Sequence, residues 1–173
     1  MDIAIVGCGT SGLAAALFLT RRGHRVTLLE RFKTPRPLGA GLLLQPTGLA
    51  CLAALGLDDA VIAAGAKIHH LYGRTAKGRV IFDITYRDMH PNRFGLGIHR
   101  GALFGTLYQA VQQQGIPVIT HAAIVDSRIE GDKRVLQDAA GATYGGYDLV
   151  IDASGAQSAL REKYGDIKYS KPY

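Results

Sequence analysis

The chain has 173 residues, of which 47% are hydrophobic and 20% charged, with two cysteines, no tryptophan and a formal net charge of +6. That length holds one domain with a real core, and the composition is that of a folded globular chain rather than a disordered one or a disulfide scaffold. No apolar run approaches membrane-spanning length, and no basic segment precedes a signal-like core, so a cytoplasmic chain without a membrane span is expected. The basic residues are scattered, Arg21-Arg22 being the densest cluster, and no aromatic-rich RNA-binding motif accompanies them, so nucleic acid is not expected as a partner.

Residues 2–30 carry the strongest signal. Asp2–Val6 is a short apolar run that predicts a strand. Gly7, Gly9 and Gly12 follow in G-x-G-x-x-G spacing, and helical periodicity then runs through Ala16 and Leu19 to a stop at Gly23. Val26–Leu29 predicts a second strand, ended by Glu30. A strand, a glycine turn, a helix and a strand closed by an acid form the unit that holds the ADP half of a dinucleotide. In that reading Gly7 allows the tight turn, Gly9 lets the backbone approach a pyrophosphate, and Gly12 lets helix and strand pack closely. The first helical turn, with Thr10 and Ser11, offers unpaired N–H groups and a partial positive charge to the phosphates. Glu30 accepts hydrogen bonds from the ribose hydroxyls, and its charge repels the 2′-phosphate of NADP, which leaves FAD or NAD. The net positive charge then reads as a field that draws anionic dinucleotides.

Beyond Glu30, Pro35 and Pro37 make residues 31–38 an irregular loop. Gly39–Leu44 turns from small to apolar, and Pro46 opens a helix to about Leu55, stopped by Gly56. Residues 67–86 predict a hairpin with its turn at Ala76-Lys77-Gly78, foreign to a simple nucleotide fold and therefore the start of a second sheet. Gly95–His99 leads into a helix from about Arg100 to Gln114, closed by Gly115, and Ile116–Thr120 is expected to return to the parallel sheet. Ala123–Glu130, Arg134–Asp138 and Ala142–Tyr147 predict a meander, and Asp148–Ala153 a buried strand that runs through Ser154-Gly155 into Ser158–Arg161. Gly165-Asp166 reads as a turn. Cys8 sits inside the glycine turn as a space filler. His24, His69, His70, His90, His99 and His121 show no ligand spacing, and no metal site is expected.

Taken together, these pieces resemble the single-component FAD-dependent monooxygenases of the para-hydroxybenzoate hydroxylase family, over nearly the whole chain. Four segments carry the resemblance: the opening unit with Glu30-Arg31; Gly39–Pro46, similar to the family's Gly-x-Gly-apolar stretch; Arg100 with Leu103 and Leu107; and Tyr147–Arg161. The resemblance implies an α/β, Rossmann-like FAD-binding domain of the glutathione-reductase type, with a parallel sheet, a β-meander and the start of a second sheet. Residues 1–66 and 95–173 are assigned to the FAD-binding domain and 67–94 to a substrate sheet. It implies that Gly41 and Leu42 pass beside the flavin ring, and that Arg100 reaches the ribityl–phosphate region; the alternative for Arg100 is a surface arginine that merely opens its helix. Ser154 and Gly155 stand where the family has Asp-Gly beside the dinucleotide, so a serine replaces the usual acid and Asp152 falls two positions earlier.

The implied function is an NAD(P)H- and O2-dependent monooxygenase that hydroxylates an aromatic or similar small molecule on bound FAD. No side chain is nominated as a catalytic acid or base. A flavin-dependent reductase or halogenase-like enzyme, and an NAD-dependent dehydrogenase, stay open as alternatives. Family members are more than twice this length and carry a later strand–Gly-Asp–helix segment. The expectation is therefore an N-terminal fragment, a truncated form, or a split FAD-binding subunit completed by a C-terminal chain, with an exposed sheet edge that invites homo-association.

Overall fold

The structure, a computed structural model, describes residues 1–37, 39–166 and 169. In chain order the elements are β1 (Asp2–Val6), α1 (Thr10–Arg21), β2 (Arg25–Leu29), β3 (Gly41–Leu44), α2 (Pro46–Ala54), α3 (Asp58–Ala63), β4 (Gly65–Ile68), β5 (His70–Arg74) and β6 (Val80–Thr85). Then come β7 (Gly95–His99), α4 (Arg100–Gln113), β8 (Val118–Ile119), β9 (Ile124–Glu130), β10 (Lys133–Asp138), β11 (Thr143–Tyr147), β12 (Leu149–Asp152) and α5 (Ala159–Tyr164). They fall into two units, Met1–Pro37 with Leu107–Tyr173, and Leu38–Thr106.

The first unit is built on a parallel sheet of order β12-β1-β2-β8. Its central strand has the unbroken apolar run that a strand covered on both faces needs, and Ile3, Ala4 and Ile5 are buried. Helix α1 turns Leu13, Ala16 and Leu17 inward and stops where Gly23 takes φ +81°, its N–H donating to the Thr20 carbonyl. Strands β9, β10 and β11 form the expected antiparallel meander. Ile124 and Leu136 from it join Ala4, Val6, Leu29, Ala122 and Leu160 in one core. The buried Asp138 holds its last turn, accepting from the N–H groups of Ala140 and Ala142 and from the Tyr144 hydroxyl.

The second unit contains an antiparallel sheet of order β3-β7-β4 and the separate hairpin β5-β6. Tyr86 is buried against Gly95, where its hydroxyl lies 2.7 Å from the position a Cβ would take, and it donates to Gln45 Oε1. The hairpin leaves Ile81, Phe82 and Ile84 exposed.

Three expectations are corrected. The predicted first hairpin strand is two strands: residues 65–68 pair with β7, the chain breaks at His69, and only His70–Arg74 pairs with β6. Gly65 makes this division workable, because a Cβ there would lie 2.9 Å from the Gly97 carbonyl oxygen and hold β4 off its partner. Strand β12, read as buried, is the edge of the parallel sheet, with Leu149 41% exposed. The short helix α3 was not anticipated, although Asp58 and Asp59 in its first turn are a helix-start signal.

Among the described residues no helix is long and apolar enough to cross a membrane, and no cluster of three or more His, Cys, Asp or Glu side chains could hold a metal ion.

Candidate functional site

In the first unit, the ends of β1, β2 and β12 converge on the glycine turn. This is the carboxyl edge of a parallel sheet, the usual place for a ligand in such folds. Gly7 takes φ +105° and passes so close to β12 that a Cβ would lie 2.6 Å from the Ala153 carbonyl oxygen. Its N–H donates to Leu29 O, and the Ala153 N–H donates to Val6 O, which ties the turn to both neighbouring strands. Gly12 is tighter still: a Cβ there would sit 2.0 Å from the Gly7 carbonyl oxygen. Gly9 is the opposite case. Its φ of −83° suits any residue, and a Cβ would meet nothing within 4 Å. Steric need thus explains Gly7 and Gly12, whereas Gly9 lies at an open face of the turn.

Gly9 is also the N-cap of α1 and supplies no side-chain acceptor. Its carbonyl takes the Leu13 N–H, and the exposed Ser11 and half-buried Thr10 stand in the first turn. The N–H groups of that turn carry the positive end of a twelve-residue helix.

Glu30 is buried at the end of β2, with only 7% of its surface exposed. Its Oε2 accepts from the Cys8 N–H and its Oε1 from the Phe32 N–H, each at 2.9 Å. The sequence suggested an acid free to grip a sugar. In the structure that acid first stitches the glycine turn to the loop after β2, and each oxygen retains acceptor capacity for one further donor. The Arg31 guanidinium lies 4.8 Å from the centre of the Phe32 ring, which Arg36 approaches equally closely.

Cys8 is buried beside this carboxylate. Burial, then the charge of Glu30, push its thiol up to about 12. Because a thiolate is the reactive form, Cys8 is inert at neutral pH. Iodoacetamide at pH 8 is expected to label the exposed Cys51 rapidly and Cys8 only after denaturation. Peptide mass mapping of a timed alkylation checks this, and equal labelling of both would contradict it.

On the β12 side, Asp152 pairs in register with Val6, and its carboxylate gathers the following loop. Oδ1 accepts from the Ser154 N–H at 3.0 Å and from the Ser154 hydroxyl, and Oδ2 accepts from the Ser158 hydroxyl. Ser158 is in turn the N-cap of α5, its Oγ accepting from the N–H groups of Leu160 and Arg161 at 3.1 Å. Partial desolvation pushes the Asp152 carboxyl up, but the hydrogen bonds from Ser154 and Ser158 and the nearby Arg161 outweigh it and hold the group below its ordinary value. A cleft of about 520 Å³ lies here, lined by Ser11, Ala15, Asp152, Gly155, Ser158 and Arg161. Ser154 thus lies against Gly7, a Cβ on that glycine falling 2.8 Å from Ser154 Cα. Sequence reading assigned no role to Asp152 or Ser158; a serine directly before Ala159-Leu160 was the available N-cap signal.

The remaining site residues lie together in the second unit. Strand pairing sets Gly41 opposite His99 and Leu42 opposite Ile98. The Arg100 N–H donates to Ala40 O, and a Cβ on Gly39 would lie 3.3 Å from Arg100 Nη1, so the arginine runs along this glycine backbone. The sequence segments 39–42 and 98–100, far apart in the chain, form one surface.

A family model described as "FAD binding domain" matches residues 1–170. The chain is 34% identical, over 172 residues, to the 2-heptyl-3-hydroxy-4(1H)-quinolone synthase of Mycobacteroides abscessus, covering 96% of this chain and 43% of that protein. It is 33% identical to 3-hydroxybenzoate 6-hydroxylase 1 of Aquipseudomonas alcaligenes, covering 94% of this chain and 42% of that one. The fold matches the crystal structure of 2-methyl-3-hydroxypyridine-5-carboxylic acid oxygenase with a TM-score of 0.80 at 24% identity, over 95% of this chain and 42% of that chain. The chain therefore spans less than half the length of the relatives it matches.

Proposed function

The chain belongs to the FAD binding domain family of FAD-dependent aromatic hydroxylases, and from that premise we propose that it binds FAD as the amino-terminal part of an NAD(P)H- and O2-dependent monooxygenase acting on a small aromatic molecule. The observation that carries this reading is the contrast between the glycines. Packing requires Gly7 and Gly12 to lack a side chain, but among the described residues nothing requires it of Gly9. A bare backbone at an open helix N-terminus is what a pyrophosphate needs for close approach.

The residues present fit the cofactor. The N–H groups of Thr10 and Ser11 would hold the diphosphate, the remaining lone pairs of Glu30 would accept from the adenosine ribose, and Arg31 would flank that end. Ser154 and Gly155 form the wall on the β12 side. Within the second unit, Gly41, Leu42 and Arg100 are the residues that would serve a flavin, Arg100 with a fixed positive charge suited to phosphate or ribityl oxygens. Bound FAD, reduced by NAD(P)H, supplies the oxygen chemistry. This part of the protein contributes binding and orientation of the cofactor. Hydroxylation is favoured over a reductase or dehydrogenase reading because the named relatives are a synthase and a hydroxylase of hydroxylated aromatic rings, and because segments 39–42 and 98–100 have no use in a plain NAD site.

The test is a Gly9→Val variant titrated with FAD beside the wild-type chain. The wild type is expected to quench FAD fluorescence with saturation. The variant is expected to fold, at a cost of about 1 kcal/mol because valine is a poorer N-cap than glycine, while its FAD affinity falls by at least about 100-fold, since a side chain against a phosphate forfeits several hydrogen bonds. Uptake of NAD with rejection of FAD by the wild type would replace this reading with a dehydrogenase.

A further inference from the structure

The strand order β12-β1-β2 places an acid on each side of the glycine turn: Glu30 at the end of β2 and Asp152 at the end of β12. Glu30 fixes the turn itself through the Cys8 N–H. Asp152 does not touch the turn; its carboxylate is spent on the loop that packs over it. Three donors converge on that carboxylate: the N–H and hydroxyl of Ser154 and the hydroxyl of Ser158. Gly7 in turn lies against Ala153 and Ser154, a Cβ on it falling 2.8 Å from Ser154 Cα. A shift of the Ser154-Gly155 loop is therefore a shift of the wall facing the turn and of the cleft shared with Ser11.

We infer that Asp152 is a positioning residue for the FAD site: an ionised carboxylate displaced two positions upstream of the serine turn, which holds Ser154-Gly155 against the glycine turn. The inference rests on the FAD reading above and adds to it the group that sets the shape of the site's β12 wall. A family-type aspartate directly before the glycine would carry its charge in the loop itself. Here the loop residue is a serine, and the charge sits on the strand, where parallel pairing with Val6 fixes its backbone. A carboxylate anchored in a sheet positions a loop more rigidly than one riding on the loop. Ser158 extends the same device, since its hydroxyl links the carboxylate to the first turn of α5.

Three variants test this in the full 173-residue chain. Asp152→Asn keeps the size and one acceptor but removes the charge; Ser158→Ala removes the α5 cap and keeps the charge; Ser154→Ala removes one donor. FAD affinity is read by fluorescence titration, the asymmetry of the bound ring by visible circular dichroism, and loop order by amide exchange of Ser154 without cofactor. Asp152→Asn is expected to weaken FAD binding by about tenfold, roughly the weight of one charge-assisted hydrogen bond. It should also alter the flavin dichroism and speed exchange at Ser154, with a loss of affinity at temperatures where the variant is fully folded. Ser154→Ala should follow it at roughly threefold. Asp152→Asn binding FAD like the wild type overturns the inference. So does a loss of affinity in Asp152→Asn and Ser158→Ala that simply tracks a lowered melting temperature, which would make Asp152 a helix-capping residue only. No FAD uptake by the wild-type chain is a separate result and sinks the proposed function itself.

Discussion

Gly12→Ala is expected to destabilise the first unit by about 3 kcal/mol or more, lowering its melting temperature by roughly 10 °C. The added methyl would sit 2.0 Å from the Gly7 carbonyl oxygen, and the next contact is the Gly7 carbonyl carbon at 3.2 Å. Both are backbone, so no rotamer change relieves the clash. Either α1 moves away from β1, unpacking Leu13, Ala16 and Leu17, or the turn opens and breaks the hydrogen bond from the Gly7 N–H to Leu29 O. Urea or thermal denaturation followed by far-UV circular dichroism checks the result. Comparison with Gly9→Val gives the contrast its force. The two substitutions stand three residues apart in one motif, yet the smaller one is expected to destabilise the fold strongly and the larger one to stay folded and lose its ligand.

Glu30→Gln is the second change with a large expected effect. The carboxylate accepts from two backbone N–H groups, one on each oxygen, at 2.9 Å. An amide has one acceptor and one donor, so whichever way it turns, its NH2 faces either the Cys8 or the Phe32 N–H. One buried donor is left unpaired against another, at a penalty of about 1–3 kcal/mol. Affinity for an adenosine-bearing cofactor is expected to fall by about tenfold or more, since the charged acceptor for the ribose goes with the loop geometry. Glu30→Asp keeps the charge on a side chain one methylene shorter and reaches at most one of the two donors. Chemical denaturation and FAD titration of both variants check the ordering, with the aspartate variant retaining more affinity than the glutamine. Wild-type stability in Glu30→Gln would show that the carboxylate does not organise the turn.

Much of this was legible in the sequence because local chemistry dictated it. A both-faces-buried strand reads as an unbroken apolar run, as in Ile3–Val6, and a helix stop at positive φ reads as Gly23, Gly56 or Gly115. The strand, glycine turn and helix of residues 2–21, and the second strand ending before Glu30, were legible for the same reason. What escaped was decided by partners far away in the chain. Residues 65–74 have strand character throughout, but only Gly95–His99 and Val80–Thr85, competing for different halves, determine the break at His69. Strand β12 is apolar enough to look buried, and its position at an edge depends on which strands pair with it rather than on its own residues. Asp152 was visible as an acid in an unexpected place. Its role depends on the loop folding back so that Ser154 and Ser158 both reach one carboxylate. Glu30 is the instructive intermediate case: its position at the end of β2 followed from the motif, but its burial and its hydrogen bonds to Cys8 and Phe32 did not.

The most direct measurement is a crystal structure of the chain grown with FAD. The account predicts density for the diphosphate against the backbone of Gly9, Thr10 and Ser11, with the adenosine ribose within hydrogen-bond distance of Glu30. Density for FAD elsewhere, or a glycine turn left bare by a cofactor present in excess, would contradict it.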